Sequence, residues 1–158
     1  MIVKVDLSKG ELILGSARYA VSCVVRSLAN GLRHKDEVVY SVSTPSVPYD
    51  PCPFPNGVWR VTGVEWQKDY NFSSDVYGPV KIRTNAGQPV KAWALDKDGD
   101  YLEITEKTVY DGGYLLHYSR SNTTLGCIRI GSPAAAAEIA NIIEAVLDNG
   151  EDVILEVV

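Results

Sequence analysis

The chain reads as one mainly β domain with a single amphipathic helix. Three observations predict this. Short runs rich in Val, Ile and Tyr recur between Gly, Pro, Asn and Asp turns. Only one stretch, after Ser132, has helical periodicity. And 158 residues with 46% hydrophobic and 22% charged content can build one core without metals or disulfides. Residues 1–158 are therefore taken as a single domain.

The elements follow in order. IVKV (2–5), GELILG (10–15) and YAVSCVV (19–25) read as strands. TPSVPYDPCPFPNG (44–57) holds five of the eight prolines. Proline fixes φ and removes a ladder donor, so this is an extended loop, either functional or a rigid surface crossing. GVWRVTGVEWQ (57–67) returns to strand, and QKDYNFSSDVYGP (67–79) is a polar loop. Its aromatics Tyr70, Phe72 and Tyr77 are candidates for a cleft wall or for packing. VKIRT (80–84), VKAWAL (90–95) and YLEIT (101–105) are strands. DKDGD (96–100) is a hairpin turn, because Glu106 falls one position late for a calcium loop. Ser132 and Pro133 then open a helix. Its apolar stripe is Ile139, Ile142, Ile143, Val146 and Leu147, with Glu138, Asn141, Glu144 and Asp148 opposite and Gly150 ending it. EDVILEVV closes the chain as a strand.

The net charge of −5 argues against nucleic acid or an anionic membrane surface as partner. No apolar run has the length of a membrane span. MIVKVDLSKG lacks the features of a secretory signal, which leaves an intracellular protein, export by another route, or a trimmed chain. Three cysteines leave at least one unpaired, and spacing leaves a Cys23–Cys52 disulfide open. Without a CxxC or HxxxH pair, neither a metal site nor a cofactor is expected.

Chemistry concentrates in YLLHYSRSNTTLGCIRIGSP (114–133), where His117 stands ten positions before Cys127. GCIRI reads as a strand entry. Period two puts Cys127 and Arg129 on one face and Ile128 and Ile130 on the other. In YLLHY, Leu115 and His117 share a face opposite Tyr114, Leu116 and Tyr118. The SRSNTTL loop between the two runs brings His117 within reach of Cys127. A free thiol, with a pKa near ~8.5, is mostly protonated at neutral pH, and an imidazole or cation beside it raises the thiolate fraction. Arg129 suits a thiolate or a substrate carboxylate. Gly126 lets backbone approach substrate, and its N–H with that of Cys127 suits an oxyanion, roughly 3–4 kcal/mol per donor. Yet a lone cysteine in a strand is ordinarily a small buried hydrophobe, and a lone histidine among tyrosines is ordinarily structural. The residues alone leave both readings open.

Thr-Leu-Gly-Cys-Ile-Arg, preceded by His117 at a strand end, resembles the signature of L,D-transpeptidase catalytic domains. VDLSKGELIL (5–14) resembles that family's opening strand pair, and PFPNGVWRVTGV (53–64) its Pro-rich segment and following strand. The resemblance implies a mainly β, sandwich-like catalytic domain with the helix after the motif. It implies Cys127 as nucleophile, His117 as base and Gly126 beside them, with Arg129, Thr124 and Tyr118 toward the substrate. That substrate is a peptidoglycan stem peptide, attacked at the L-centre of a diamino acid through a thioester. The site of action implied is the periplasm or cell envelope. The chain departs from the pattern in its short His–Cys spacer, in Tyr118 where a glycine commonly follows the histidine, and in Leu125 where a second histidine often stands. The short spacer, with no secretory signal read in MIVKVDLSKG, resembles a compact, toxin-like bacterial subgroup, which implies secretion machinery or an immunity protein as partners. On this reading Cys127→Ala abolishes activity while Cys23→Ala leaves it intact. A non-catalytic peptidoglycan- or protein-binding module on the same fold is the alternative. A papain-like thiol hydrolase fits poorly, because its Cys-before-His order is reversed here.

Overall fold

The computed structural model describes residues 1–25, 32–34, 37–40, 52–69, 77–93 and 106–158. Eight strands form a ladder that closes on itself. They are β1 (Ile2–Asp6), β2 (Glu11–Leu14), β3 (Ala17–Ser22), β6 (Gly57–Trp66), β7 (Val80–Thr84), β10 (Leu115–Tyr118), β11 (Ile128–Ile130) and β12 (Ile154–Val157). Around the barrel the order is β1, β12, β6, β7, β10, β11, β3, β2. Two hairpins stand outside it: β4 (Leu32–His34) with β5 (Glu37–Tyr40), and β8 (Gln88–Trp93) with β9 (Glu106–Asp111).

Among the described residues the chain is mainly β with one helix after the motif, as its pattern predicts. Closure adds to the sandwich-like expectation: parallel pairing of β1 with β12 joins the two ends of the chain and leaves no open edge in the ladder. Alternation supplies the core. Val3 and Val5, Leu12 and Leu14, Ile82, Leu116, Ile128, Ile130 and Leu155 are buried on the inner side of their strands. The hairpin β4–β5 and strand β9 carry no strong sequence signal and were not expected. The YLEIT and DKDGD segments, most of the Pro-rich loop, Tyr70 and Phe72 lie outside the described residues.

Helix α1 spans Pro133–Asp148. Ser132 Oγ accepts from the Ala135 amide at 3.1 Å, and Pro133 takes the first turn, where a missing N–H costs nothing. Gly150, at φ +77°, turns the chain out as its amide donates to the Leu147 carbonyl. The buried stripe is Ala136, Ile139, Ala140 and Ile143. Ile142, expected inside, is 36% exposed, because the stripe is centred between 139 and 143 and not beyond it. The helix packs on β6, β7, β10 and β11, behind the strands that carry the motif.

Candidate active site

Strands β10 and β11 run parallel, pairing Leu116 with Ile128 and His117 with Arg129. Leu116 and Ile128 fill the core, so His117 and Arg129 occupy the opposite face. One step earlier, Cys127 falls level with Leu115, whose backbone hydrogen-bonds its thiol. The sequence suggested two strands and a loop; parallel pairing makes residues 119–127 a crossover that folds over the face. Between that crossover and Tyr77 lies a cavity of about 150 Å³, lined by His117, Ser119, Thr123, Thr124, Leu125 and Cys127.

His117 is 6% exposed, and its Nδ1 lies 2.7 Å from the Tyr118 carbonyl oxygen. A carbonyl only accepts, so Nδ1 carries the proton and Nε2 of the neutral ring is the basic nitrogen. Burial pushes the imidazole below its ordinary pKa; the Tyr118 bond opposes this and the nearby Lys81 charge adds to it. Burial likewise pushes the Cys127 thiol up, against the Leu115 bond, with Cys23 and Asp111 adding to the rise and Lys81 opposing it. The resting pair is therefore thiol and neutral imidazole. Desolvation of the sulfur thus opposes the thiolate-favouring effect expected of a neighbouring cation.

The turn before Cys127 is held from below. Thr124 Oγ donates to the Cys127 carbonyl at 2.8 Å and accepts from the Gly126 amide at 3.2 Å, while the Thr124 amide bonds the Val24 carbonyl at 2.9 Å. The Gly126 N–H is thus already engaged within the turn, contrary to its expected part as an oxyanion donor. Gly126 sits at φ +119°, and a Cβ there would overlap the Cys52 carbonyl and lie 2.8 Å from the Tyr114 ring. Its small size lets the turn pack against the Pro-rich segment.

Two further cysteines meet this turn. Cys23 Sγ lies 3.3 Å from the Gly126 carbonyl, to which it donates, and 3.3 Å from the Phe54 amide, from which it accepts. No disulfide joins it to Cys52. Phe54, 2% exposed, sets its ring edge-on to Tyr114 at 5.5 Å. The described end of the Pro-rich loop is therefore the floor of the motif. At the base of the β8–β9 hairpin, Gln88 bridges the Pro53 carbonyl at 2.7 Å and the Tyr114 hydroxyl at 2.8 Å. Its ladder partner Asp111 also bonds Tyr114, and burial raises that carboxyl.

Arg129 Nε donates to the carbonyls of Ser119 at 2.7 Å and Ser121 at 3.1 Å, and its guanidinium lies 5.2 Å from the Tyr118 ring centroid. It braces the crossover. Of the expected substrate-facing residues, Thr124 lines the cavity, whereas Arg129 and Tyr118 are not part of its lining. Tyr77, an aromatic noted in the sequence, makes an edge contact with His117 at 5.7 Å. Sequence reasoning missed Lys81, which pairs with His117 across the β7–β10 ladder. Only the register, which depends on long-range pairing, reveals it.

The family profile of the L,D-transpeptidase catalytic domain, YkuD, matches residues 27–155. No curated protein and no solved structure matches the chain. The match covers well over half of the chain and includes strands β6, β7, β10 and β11, the helix, His117 and Cys127, so this chain belongs to the YkuD family of L,D-transpeptidase catalytic domains.

Proposed function

We propose that this chain is a cysteine L,D-transpeptidase or L,D-carboxypeptidase that works through a thioester on Cys127. Family membership supports L,D-transpeptidase-type function and peptidoglycan as substrate in general. The observation that carries the specific reading is His117 and Cys127 lining one cavity, with His117 Nδ1 tied to the Tyr118 carbonyl.

In this reading His117 Nε2 removes the Cys127 proton as Sγ attacks the carbonyl of the L-centre of a stem-peptide diamino acid. The C–S bond forms and the carbonyl π electrons move to oxygen, stabilised by the Cys127 N–H. Collapse expels the terminal D-amino acid, whose nitrogen takes the proton from the imidazolium. An amine or water then attacks the thioester, gives up its proton through His117, and releases the thiol. The resting thiol–imidazole pair suits this concerted base catalysis, because it needs no preformed thiolate.

Mass spectrometry of a disaccharide-tetrapeptide incubated with wild type and with Cys127→Ala, with and without D-methionine, tests the reading. Loss of the terminal D-alanine, its exchange, or a cross-linked dimer, each absent with a folded Cys127→Ala, supports it. Full turnover by the mutant sinks it. An unchanged substrate with folded wild type favours the non-catalytic binding module.

The short His–Cys spacer supports a toxin-like role in the cell envelope, with secretion machinery or an immunity protein as partners. Periplasmic expression that lyses cells only when Cys127 is intact is the expected result; harmless expression of active protein counts against it.

A further inference from the structure

Beside the His–Cys cavity, and sharing Tyr77 as a wall, lies a second cavity of about 220 Å³. Glu65, Trp66, Gln67, Gly78, Val80 and Lys81 complete its lining. Its one lysine stands opposite His117 in the β7–β10 ladder, with Nζ 5.6 Å from the centroid of the Tyr77 ring. That ring is itself in edge contact with His117. The carboxylate nearest in register to Lys81 is Glu65, which bonds Arg83 instead. Among the described residues Lys81 forms no ion pair.

We propose that this cavity is the subsite for the free α-carboxylate of the departing C-terminal amino acid, with Lys81 as the cation that holds it. The inference rests on the proposed thioester chemistry and names what that chemistry selects. Three features carry it. The cation stands beside the base in the ladder, and both contact the Tyr77 ring. A terminal carboxylate lies about one residue, ~3.8 Å between successive Cα atoms, beyond the scissile carbonyl. And Arg129, the cation the sequence offers for this task, already donates to two backbone carbonyls of the crossover. Lysine and carboxylate make a charge-assisted contact that an amide does not reproduce. Holding that carboxylate beside the reacting centre would restrict cleavage to the last peptide bond of the substrate.

The test compares a tetrapeptide stem ending in a free carboxylate with the same stem ending in a carboxamide. Dissociation constants are measured in the Cys127→Ala background, with and without Lys81→Gln, and KM and kcat in the Cys127 proteins. Roughly tenfold or more preference for the free acid is expected, expressed in Kd and KM, and lost in Lys81→Gln through weaker binding of the acid alone. No preference in the Cys127→Ala protein overturns the subsite. A preference that survives Lys81→Gln overturns the role of Lys81. Failure of the chemistry shows differently: the acid binds with a Lys81-dependent preference, yet the wild type turns over neither peptide.

Discussion

His117 shows how one backbone acceptor sets a catalytic tautomer. With Nδ1–H given to the Tyr118 carbonyl, Nε2 is the only base nitrogen of the neutral ring. Burial, aided by Lys81, holds the imidazole below about 6.5. In the proposed mechanism the neutral form is the active one, so activity is present above the folded pKa and lost as pH falls through it. The acid limb of kcat/KM is therefore expected below the ordinary imidazole value, and Lys81→Gln should move it upward. A limb above that value, or one unmoved by the substitution, would contradict the electrostatic account. The sign is the same for stability. The unfolded chain takes up this proton first, so stability falls as pH drops below the ordinary value. Gly126 is the other residue with a sharp requirement. Gly126→Ala meets the Cys52 carbonyl, the Tyr114 ring and an unfavourable φ. A loss of at least about 1–3 kcal/mol is expected in chemical denaturation, together with lost turnover. An alanine variant as stable as wild type would show that the turn readily repacks.

At the scale of elements, the turn before Cys127 is a joint between three distant segments. Thr124 is tied to Val24, Gly126 to Cys23, and Cys23 in turn to Phe54. The sequence suggests that Cys23→Ala is harmless; the structure predicts otherwise. Alanine leaves the Gly126 carbonyl and the Phe54 amide without their thiol partner, at a cost of roughly 1–3 kcal/mol. Turnover should fall with it, and Cys23→Ser should restore part of both. Denaturation midpoints and kcat for the two variants decide the matter; an alanine variant with unchanged kcat would return Cys23 to the role of filler. This joint marks the limit of what is legible in sequence. The strands of the motif, the face shared by Cys127 and Arg129, and the capped helix all follow from local periodicity and from Ser132-Pro133. The partners of Cys23, Gly126 and Lys81 do not, because each is set by pairing between segments far apart in the chain. Arg129 illustrates the gap. Its place on the face is readable from period two, but its bonds to Ser119 and Ser121 depend on how the crossover folds back.

At the scale of the whole molecule, the barrel is closed by its own ends. β12 runs beside β1 and also pairs with β6, so the final strand bridges the N-terminal hairpin and the strands that lead to the site. Leu155 is fully buried there, level with Val3 and Trp59. Leu155→Ala is expected to cost about 2–5 kcal/mol. If closure supports the distant face, it should also lower kcat in proportion to the fraction unfolded. A loss under about 0.5 kcal/mol would mean that closure contributes little. The site itself occupies the outer face of β7, β10 and β11, with α1 packed behind those strands, so a rigid wall supports it while the crossover supplies its cover.

The most direct measurement is the intact mass of the acid-quenched protein during turnover of a stem tetrapeptide, followed by peptide mapping. The account predicts a transient adduct equal to the substrate less its terminal D-amino acid, mapped to Cys127. It should be absent in Cys127→Ala and much slower to form in His117→Gln. Turnover without such an adduct, or an adduct on Cys23 or Cys52, would contradict it.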